Sequence, residues 1–268
     1  MIFAAGLGTR LQPLTLHTPK ALVKVGGQPM LWHVLQKLRS YGFEHIVINV
    51  HHFAEQIVDY LSANRDFGLD IHVSHERDML LETGGGIKHA MPFFDPSSPV
   101  LIHNVDILSN ADLSTLWEQT GGNGAGCDSC GDSDAGGSDA VLLVSPRQTK
   151  RYLLFNEHMC LQGWTNIETG LVKGPAASRQ ELTPTTPLLN TYNKLAFSGI
   201  HVISPSLLAK MSNWPERFSI IDFYLTACAD SRITACQQPH LRLLDVGKLE
   251  TLREAETFIG SFSQSSAQ

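Results

Sequence analysis

The sequence predicts an α/β fold on a mainly parallel sheet, with helices covering both faces. Short apolar, β-branched runs alternate with segments of helical periodicity through the first half of the chain. Strands buried on both sides read as continuous apolar runs rather than as alternating ones, which is the pattern seen here. The 268 residues, 43% hydrophobic and 17% charged, leave ample core for one large domain.

Residues 1–5 read as the first strand, and a long loop carries Gly6 to Lys20. Between 30 and 41, Leu31, Val34, Leu35 and Leu38 recur at helical spacing, and Gly42 stands where a C-terminal cap belongs. Residues 46–50 form a β-branched run, 54–63 a second helix, and 69–73 and 100–103 two further strands. In the second half, 141–144, 151–155 and 196–203 read as strands and 219–229 as a helix. A last strand at 241–244 turns through Asp245, Val246 and Gly247 into a helix from Lys248 to about Ile259. Residues 120–139 are rich in Gly, Asp and Ser without an apolar period, which predicts a mobile surface insertion. A proline-bearing loop is expected over 173–191, and the tail 261–268 is expected to fray. The plan is one domain over 1–260, with halves 1–119 and 140–260 on either side of the insertion.

The net charge of −6 predicts no basic surface for nucleic acid or anionic lipid. Five cysteines, an odd number in a chain too long to need disulfide staples, point to a reducing compartment, the cytoplasm. The first residues lack the basic stretch of a secretory signal, and no run approaches the ~20 apolar residues of a spanning helix. Monomer and dimer both remain open.

The first chemical signal is Gly6, Leu7, Gly8, Thr9 and Arg10, directly after a strand. Glycines let backbone N–H groups converge on an anion, and arginine adds a planar fork of donors. A dinucleotide fingerprint needs a third glycine where Leu11 stands, and Pro13 would disrupt the helix that should follow. A P-loop needs Gly-Lys-Ser/Thr, which is absent. What remains is Gly-x-Gly-Thr-Arg-Leu-x-Pro-Leu-Thr-x-x-x-Pro-Lys, running from Gly6 to Lys20.

That pattern resembles the signature of sugar-1-phosphate nucleotidyltransferases, and further segments resemble the family in the same order. Val25-Gly26-Gly27-Gln28-Pro29-Met30 resembles its lead into the first long helix, and Leu81-Glu82-Thr83-Gly84-Gly85-Gly86 its loop against the nucleotide base and ribose. His103-Asn104-Val105-Asp106 is similar to the segment with its first metal aspartate, although Val105 replaces the usual glycine. Phe197-Ser198-Gly199-Ile200 resembles its sugar-binding strand, and Asp245-Val246-Gly247 its second metal aspartate. The Leu81–Ile87 segment and the chain length look most like N-acetylmuramate 1-phosphate uridylyltransferases and the related mannose-1-phosphate guanylyltransferase-like enzymes. Relatives begin a residue or more earlier, so a short first strand is expected.

The resemblance implies a Rossmann-like, GT-A-like three-layer α/β/α nucleotidyltransferase fold, with a nucleotide-binding half before the insertion and a sugar-phosphate half after it. It implies attack by a sugar 1-phosphate on the α-phosphorus of a nucleoside triphosphate, favoured as UTP, with release of pyrophosphate. The nucleophile is already anionic, so the enzyme must align two polyanions and offset their repulsion. By resemblance, Ala5, Gly6, Leu7, Gly8, Thr9, Glu82, Thr83, Gly84, Gly85 and Asn104 bind the nucleotide. Arg10 and Lys20 stabilise the phosphates, Ser198 and Gly199 contact the sugar, and Asp106 and Asp245 hold Mg²⁺. Both aspartates follow apolar runs and are expected at strand C-termini, where open α/β sheets bind ligands.

Plainer readings compete. Arg10 and Lys20 could be solvated charges, Asp106 a turn residue, Asp245 or Thr83 a helix cap, and Ser198 and Gly199 ordinary strand residues. The twelve histidines invite a metal site, but neighbours on a strand such as His51 and His52 point to opposite faces. Asn49 and His52, at the end of the second strand, are candidates to line the cleft. Cys127 and Cys130 have metal or redox spacing without a second pair, so the insertion reading stands. A non-catalytic nucleotide-sugar-binding relative is expected to lose a metal carboxylate or the lysine, whereas Arg10, Lys20, Asp106 and Asp245 are all present.

Overall fold

A two-residue strand, β1 (Ile2–Phe3), lies in the middle of the main sheet of this computed structural model, which describes residues 1–120, 137–178 and 191–263. The chain continues through β2 (Lys24–Val25), β3 (Gln28–Pro29), α1 (Met30–Ser40), β4 (His45–Val50), α2 (Ala54–Ala63), β5 (Asp70–His75) and α3 (Glu82–Ala90). Next come β6 (Val100–Asn104), β7 (Ile107–Ser109), α4 (Leu113–Gln119), β8 (Ala140–Ser145), β9 (Arg151–Phe155), β10 (Leu161–Asn166) and β11 (Val172–Lys173). The last elements are β12 (Asn193–Ile203), α5 (Pro205–Lys210), α6 (Ile220–Ala227), β13 (Ile233–Gln237), β14 (Leu243–Asp245) and α7 (Leu249–Ser263).

The sheet runs β11-β10-β9-β12-β6-β1-β4-β5, with β8 and β13 joined through β12. Strands β6, β1, β4 and β5 are mutually parallel, as are β8 and β13, while β12 is antiparallel to its three neighbours. The mixed, mainly parallel α/β sheet is the predicted one. Its central strands, such as β4 and β8, are buried on both faces, and their side chains divide by the two-residue period of a strand. Ile46, Ile48 and Val50 join one core beneath α1, α2, α4 and α7; Val47 joins the other, beneath α3, α5 and α6. Val141 and Leu143 likewise face the first core, and Ala140, Leu142 and Val144 the second.

Several elements coincide with their sequence-based bounds, including α2 and β9. β1 is shorter than the run 1–5 and short as the resemblance implies, although backbone hydrogen bonds to Met1 and from Ala4 widen the ladder. α7 extends to Ser263, so the expected fraying tail begins as helix. β7, β10, β13, α4 and α5 have no counterpart in the sequence-based reading. The expected insertion, with Cys127 and Cys130, and most of the loop over 173–191 lie outside the described residues. No helix among the described residues is long and apolar enough to cross a membrane.

β12 serves two parts of the fold. Ile200–Ile203 pair with β6, whereas Asn193–Leu195 pair with β9 beyond the end of β6. The change occurs at a bulge between Phe197 and His201, where Gly199 takes a φ of 78° that side chains disfavour. His201 follows, buried, stacked on Phe197 at 5.3 Å and edge-on to Tyr224 at 5.7 Å.

Neither His201 ring nitrogen has a hydrogen-bond partner among the described residues, and burial lowers its pKa from 6.5 to about 3. The unfolded chain therefore binds more protons below pH 6.5, and this contribution to stability, full above that value, is lost as pH falls toward 3. His201→Phe is expected to flatten the acid slope, gaining about 1–2 kcal/mol near pH 5 relative to pH 8. In thermal melts at the two pH values, parallel slopes for variant and parent would contradict the assignment.

Candidate active site

The parallel strands β1, β4 and β6 end side by side, and the residues just beyond them open a cavity of about 210 Å³. Its walls are Phe3, Ala4, Ala5 and Gly6, Asn49, Glu76 and Leu80, Glu82 and Thr83, and Asn104, Val105 and Asp106, with Lys20 at one side. This is the edge at which open α/β sheets hold ligands.

The glycine loop is held from within. Leu11 N–H donates to the Gly8 carbonyl at 2.8 Å, and the Thr15 hydroxyl donates to the same oxygen at 2.8 Å. Gly8 has a φ of 65°, and a Cβ there would lie 2.9 Å from Thr15 Cγ2 and 3.2 Å from Lys20 Cβ. The missing side chain thus lets the loop fold back onto Lys20. Leu11 is fully buried and anchors the loop to the core, while Leu7, Thr9 and Arg10 are exposed. The amides of Gly6, Leu7 and Gly8 donate to no backbone carbonyl among the described residues, so they have donors to spare.

Four charged residues from distant parts of the sequence meet beside this loop. Lys20 Nζ forms an ion pair with Asp106 Oδ2, and both side chains are largely buried. Val246 N–H donates to the Asp106 carbonyl at 2.8 Å, and β14 pairs with β7 so that Asp245 lies opposite Ile107. Asp245 Oδ1 is buried with no hydrogen-bond partner among the described residues. A Cβ on Gly247 would lie 2.7 Å from that oxygen and 2.8 Å from Arg10 Nη2, so the glycine leaves room for both. Lys20 with Asp106, and Arg10 with Asp245, therefore form two neighbouring groups joined by the backbone bond from Val246 to Asp106.

α3 begins earlier than its sequence suggests, at Glu82. Gly84, Gly85 and Gly86 lie inside the helix, not before it. A Cβ on Gly84 would fall 2.3 Å from the Phe218 ring, and one on Gly85 would fall 2.1 Å from the Glu216 carbonyl oxygen. Their missing side chains accommodate the chain ahead of α6. The Gly84 and Gly85 amides both donate to the Phe218 carbonyl, at 2.9 and 3.2 Å. Thr83, expected as a possible cap of its own helix, accepts from Ile220 N–H at 3.0 Å and so caps α6. Glu82, at a strained φ of 62°, pairs with Arg217 and lines the cavity.

Glu76 was not singled out from the sequence. It is buried, accepting from Asn49 Nδ2 at 2.6 Å and from Leu81 N–H at 2.8 Å. Asn49 Oδ1 in turn accepts from Ala4 N–H at 2.9 Å, so one network ties β1, β4 and the start of α3 together. The available signal was a carboxylate directly after a strand of the parallel sheet. His52 is exposed against Phe53 and does not line the cavity. Val105 is buried in the core, its N–H bonded to the Phe3 carbonyl at 3.1 Å.

In the second half, Ser198 is buried and donates to the Leu143 carbonyl at 2.6 Å, which occupies its hydroxyl within the sheet. Gly199 abuts Asn104: a Cβ there would lie 2.4 Å from Asn104 Nδ2. Of the histidines, His45 and His72 gather with Asp70 at the outer sheet edge, away from this cavity.

A mainly parallel α/β sheet with a glycine loop and acidic and basic groups at its strand ends suits a transferase acting on phosphate-bearing substrates. Comparison with known proteins gives the family. Residues 1–130 match the nucleotidyl transferase family. The chain is 33% identical over 237 residues to an N-acetylmuramate alpha-1-phosphate uridylyltransferase of Caulobacter vibrioides, covering 87% of this chain and 85% of that protein. It is 41% identical over 119 residues to a protein of the same name from Neisseria meningitidis serogroup B, covering 44% and 51%. The crystal structure of HddC from Yersinia pseudotuberculosis complexed with GMP-PN shares the fold, with a TM-score of 0.70 at 19% identity over 96% of this chain and 97% of that one. The chain belongs to the nucleotidyl transferase family and is a sugar-1-phosphate nucleotidyltransferase.

Gly85→Ala separates packing from nucleotide contact. Helix propensity alone would favour alanine by about 1 kcal/mol. The clash with the Glu216 carbonyl is instead expected to lower stability by about 1–3 kcal/mol, read as a fall in urea midpoint. Unchanged stability with lost nucleotide binding would contradict the packing role.

Proposed function

We propose that this enzyme couples UTP to N-acetylmuramate 1-phosphate, or a closely related amino-sugar 1-phosphate, to give the UDP-sugar and pyrophosphate. The observation that carries the reading is the Lys20–Asp106 pair beside the glycine loop, with Asp245 and Arg10 brought next to it through Val246 and Gly247. The substrate pair is supported by the likeness to the uridylyltransferase that spans most of both chains.

The sugar-phosphate oxygen attacks the α-phosphorus, and the bond to the β-phosphate oxygen breaks as pyrophosphate leaves. Gly6–Thr9 amides and Arg10 would hold the leaving phosphates, with charge-assisted hydrogen bonds from the guanidinium. Lys20 would offset the charge gathering at the attacked phosphate. Asp106 and Asp245 suit a hard divalent cation, since both offer carboxylate oxygens and one such oxygen of Asp245 is buried without a donor. Mg²⁺ held there would supply positive charge against the repulsion of two polyanions. Asn104, Glu82 and Thr83 would border the nucleotide, and Gly199 the acceptor side. The odd number of cysteines, five, supports a cytoplasmic setting for the synthesis of a cell-wall precursor.

The test is a panel of nucleoside triphosphates and sugar 1-phosphates with Mg²⁺, scored by pyrophosphate release. UTP with N-acetylmuramate 1-phosphate is expected to turn over fastest; preference for GTP with mannose 1-phosphate would overturn the substrate assignment. Asp106→Asn and Asp245→Asn are each expected to lose at least about 10²-fold in kcat with an unchanged circular dichroism spectrum. Full activity in both variants would remove the carboxylates from the site.

A further inference from the structure

We infer, resting on the transfer reading above, that Arg147 and Arg151 select an acceptor sugar that carries a carboxylate. Both guanidinium groups line a second cavity, of about 500 Å³, built on the part of the sheet that extends beyond β6. Strand register sets out its floor. Lys173 lies opposite Trp164, Trp164 opposite Leu153, and Leu153 opposite Leu195, so these side chains share one face. Two residues along the same strands, Arg151 and Phe197 come into line on that face.

This cavity adjoins the phosphate cleft through two contacts. Ser219 lines it, and the next residue, Ile220, donates to Thr83 of the cleft wall at 3.0 Å. Phe197 also lines it, two residues before the Gly199 that abuts Asn104. An acceptor whose phosphate lies at the Lys20–Asp106 cluster can therefore extend its ring over the aromatic floor of Phe197 and Trp164.

The charge of the cavity is specific. Its lining carries three cations, Arg147, Arg151 and Lys173, and one carboxylate, Asp222. Lys173 pairs with Asp222 at 3.0 Å and lies 5.7 Å over the Trp164 ring, which accounts for that carboxylate. Arg147 Nη2 donates to the Phe197 carbonyl at 3.1 Å, which aims the group while leaving its remaining donors. Neither arginine forms an ion pair among the described residues. In a chain of net charge −6, an unmatched pair of planar guanidinium groups beside an aromatic floor fits a carboxylate on a ring substituent. A neutral sugar gives these groups hydroxyl and amide oxygens but no opposite charge.

The measurement is kcat/KM with UTP and Mg²⁺ for two acceptors, N-acetylmuramate 1-phosphate and N-acetylglucosamine 1-phosphate, which lacks the acidic ether. The unsubstituted enzyme is expected to prefer the acid. Arg151→Gln, and independently Arg147→Gln, are expected to reduce the acid-to-neutral ratio at least tenfold, with partial recovery in Arg151→Lys. An unsubstituted enzyme without acid preference, or variants that lower both acceptors by the same factor, would overturn the inference while the transfer reading stands. No turnover of any sugar 1-phosphate with any nucleoside triphosphate would instead overturn the transfer reading itself.

Discussion

The ion pair between Lys20 and Asp106 joins the glycine loop to the ends of the central strands. Two charges withdrawn this far from water are costly unless each satisfies the other, and removing either partner of such a buried pair costs about 3–5 kcal/mol. The pair therefore restricts where the loop can lie. Gly8 meets the same restriction from the other side, since its missing Cβ admits Thr15 and the stem of Lys20. Asp106 is itself positioned twice, by its place after β6 and by the bond from Val246. Through that bond the chain's last strand brings Asp245 to the loop, so a site made of residues 10, 20, 106 and 245 follows from one closed corner.

A second constraint links the cleft to the second half of the chain. α3 and α6 begin against each other: Phe218 supplies its carbonyl to the first amides of α3, and Thr83 supplies its hydroxyl to the first amide of α6. Each helix satisfies donors that the other would leave orphaned. Glu76, accepting from Leu81 N–H at the start of α3, adds a negative charge at the helix end that favours one. The wall of the phosphate cleft and the rim of the cationic cavity are consequently one structural unit. The Gly199 bulge in β12 completes it by turning the sheet toward β9 while keeping contact with Asn104.

The fold class was legible because parallel strands are buried on both faces, so 46–50 and 141–144 stand out as unbroken apolar runs. α1, α2 and α6 were legible from apolar spacing. β10 was not, because Gly163 and polar Gln162, Thr165 and Asn166 interrupt its apolar pattern. A helix was legible only from Ile87; its first part was hidden by three glycines that oppose helix formation locally, two of which face Phe218 and Glu216 where side chains would lie. The phosphate loop, Lys20 and the two aspartates could be named from their order along the chain, but their meeting depends on pairing between β7 and β14 across more than a hundred residues. Ser198 carries a second task that its motif did not reveal: its hydroxyl donates to the Leu143 carbonyl and so ties β12 to β8.

The central claim is that one corner, closed by Lys20 and Asp106, is where phosphate and cation meet. A crystal structure of the enzyme with Mg²⁺ and a non-hydrolysable UTP analogue tests it most directly. The account predicts the cation on carboxylate oxygens of Asp106 and Asp245, with the triphosphate against the Gly6–Gly8 amides and Lys20. A triphosphate or cation bound away from these residues, with the Lys20–Asp106 pair undisturbed, would contradict it.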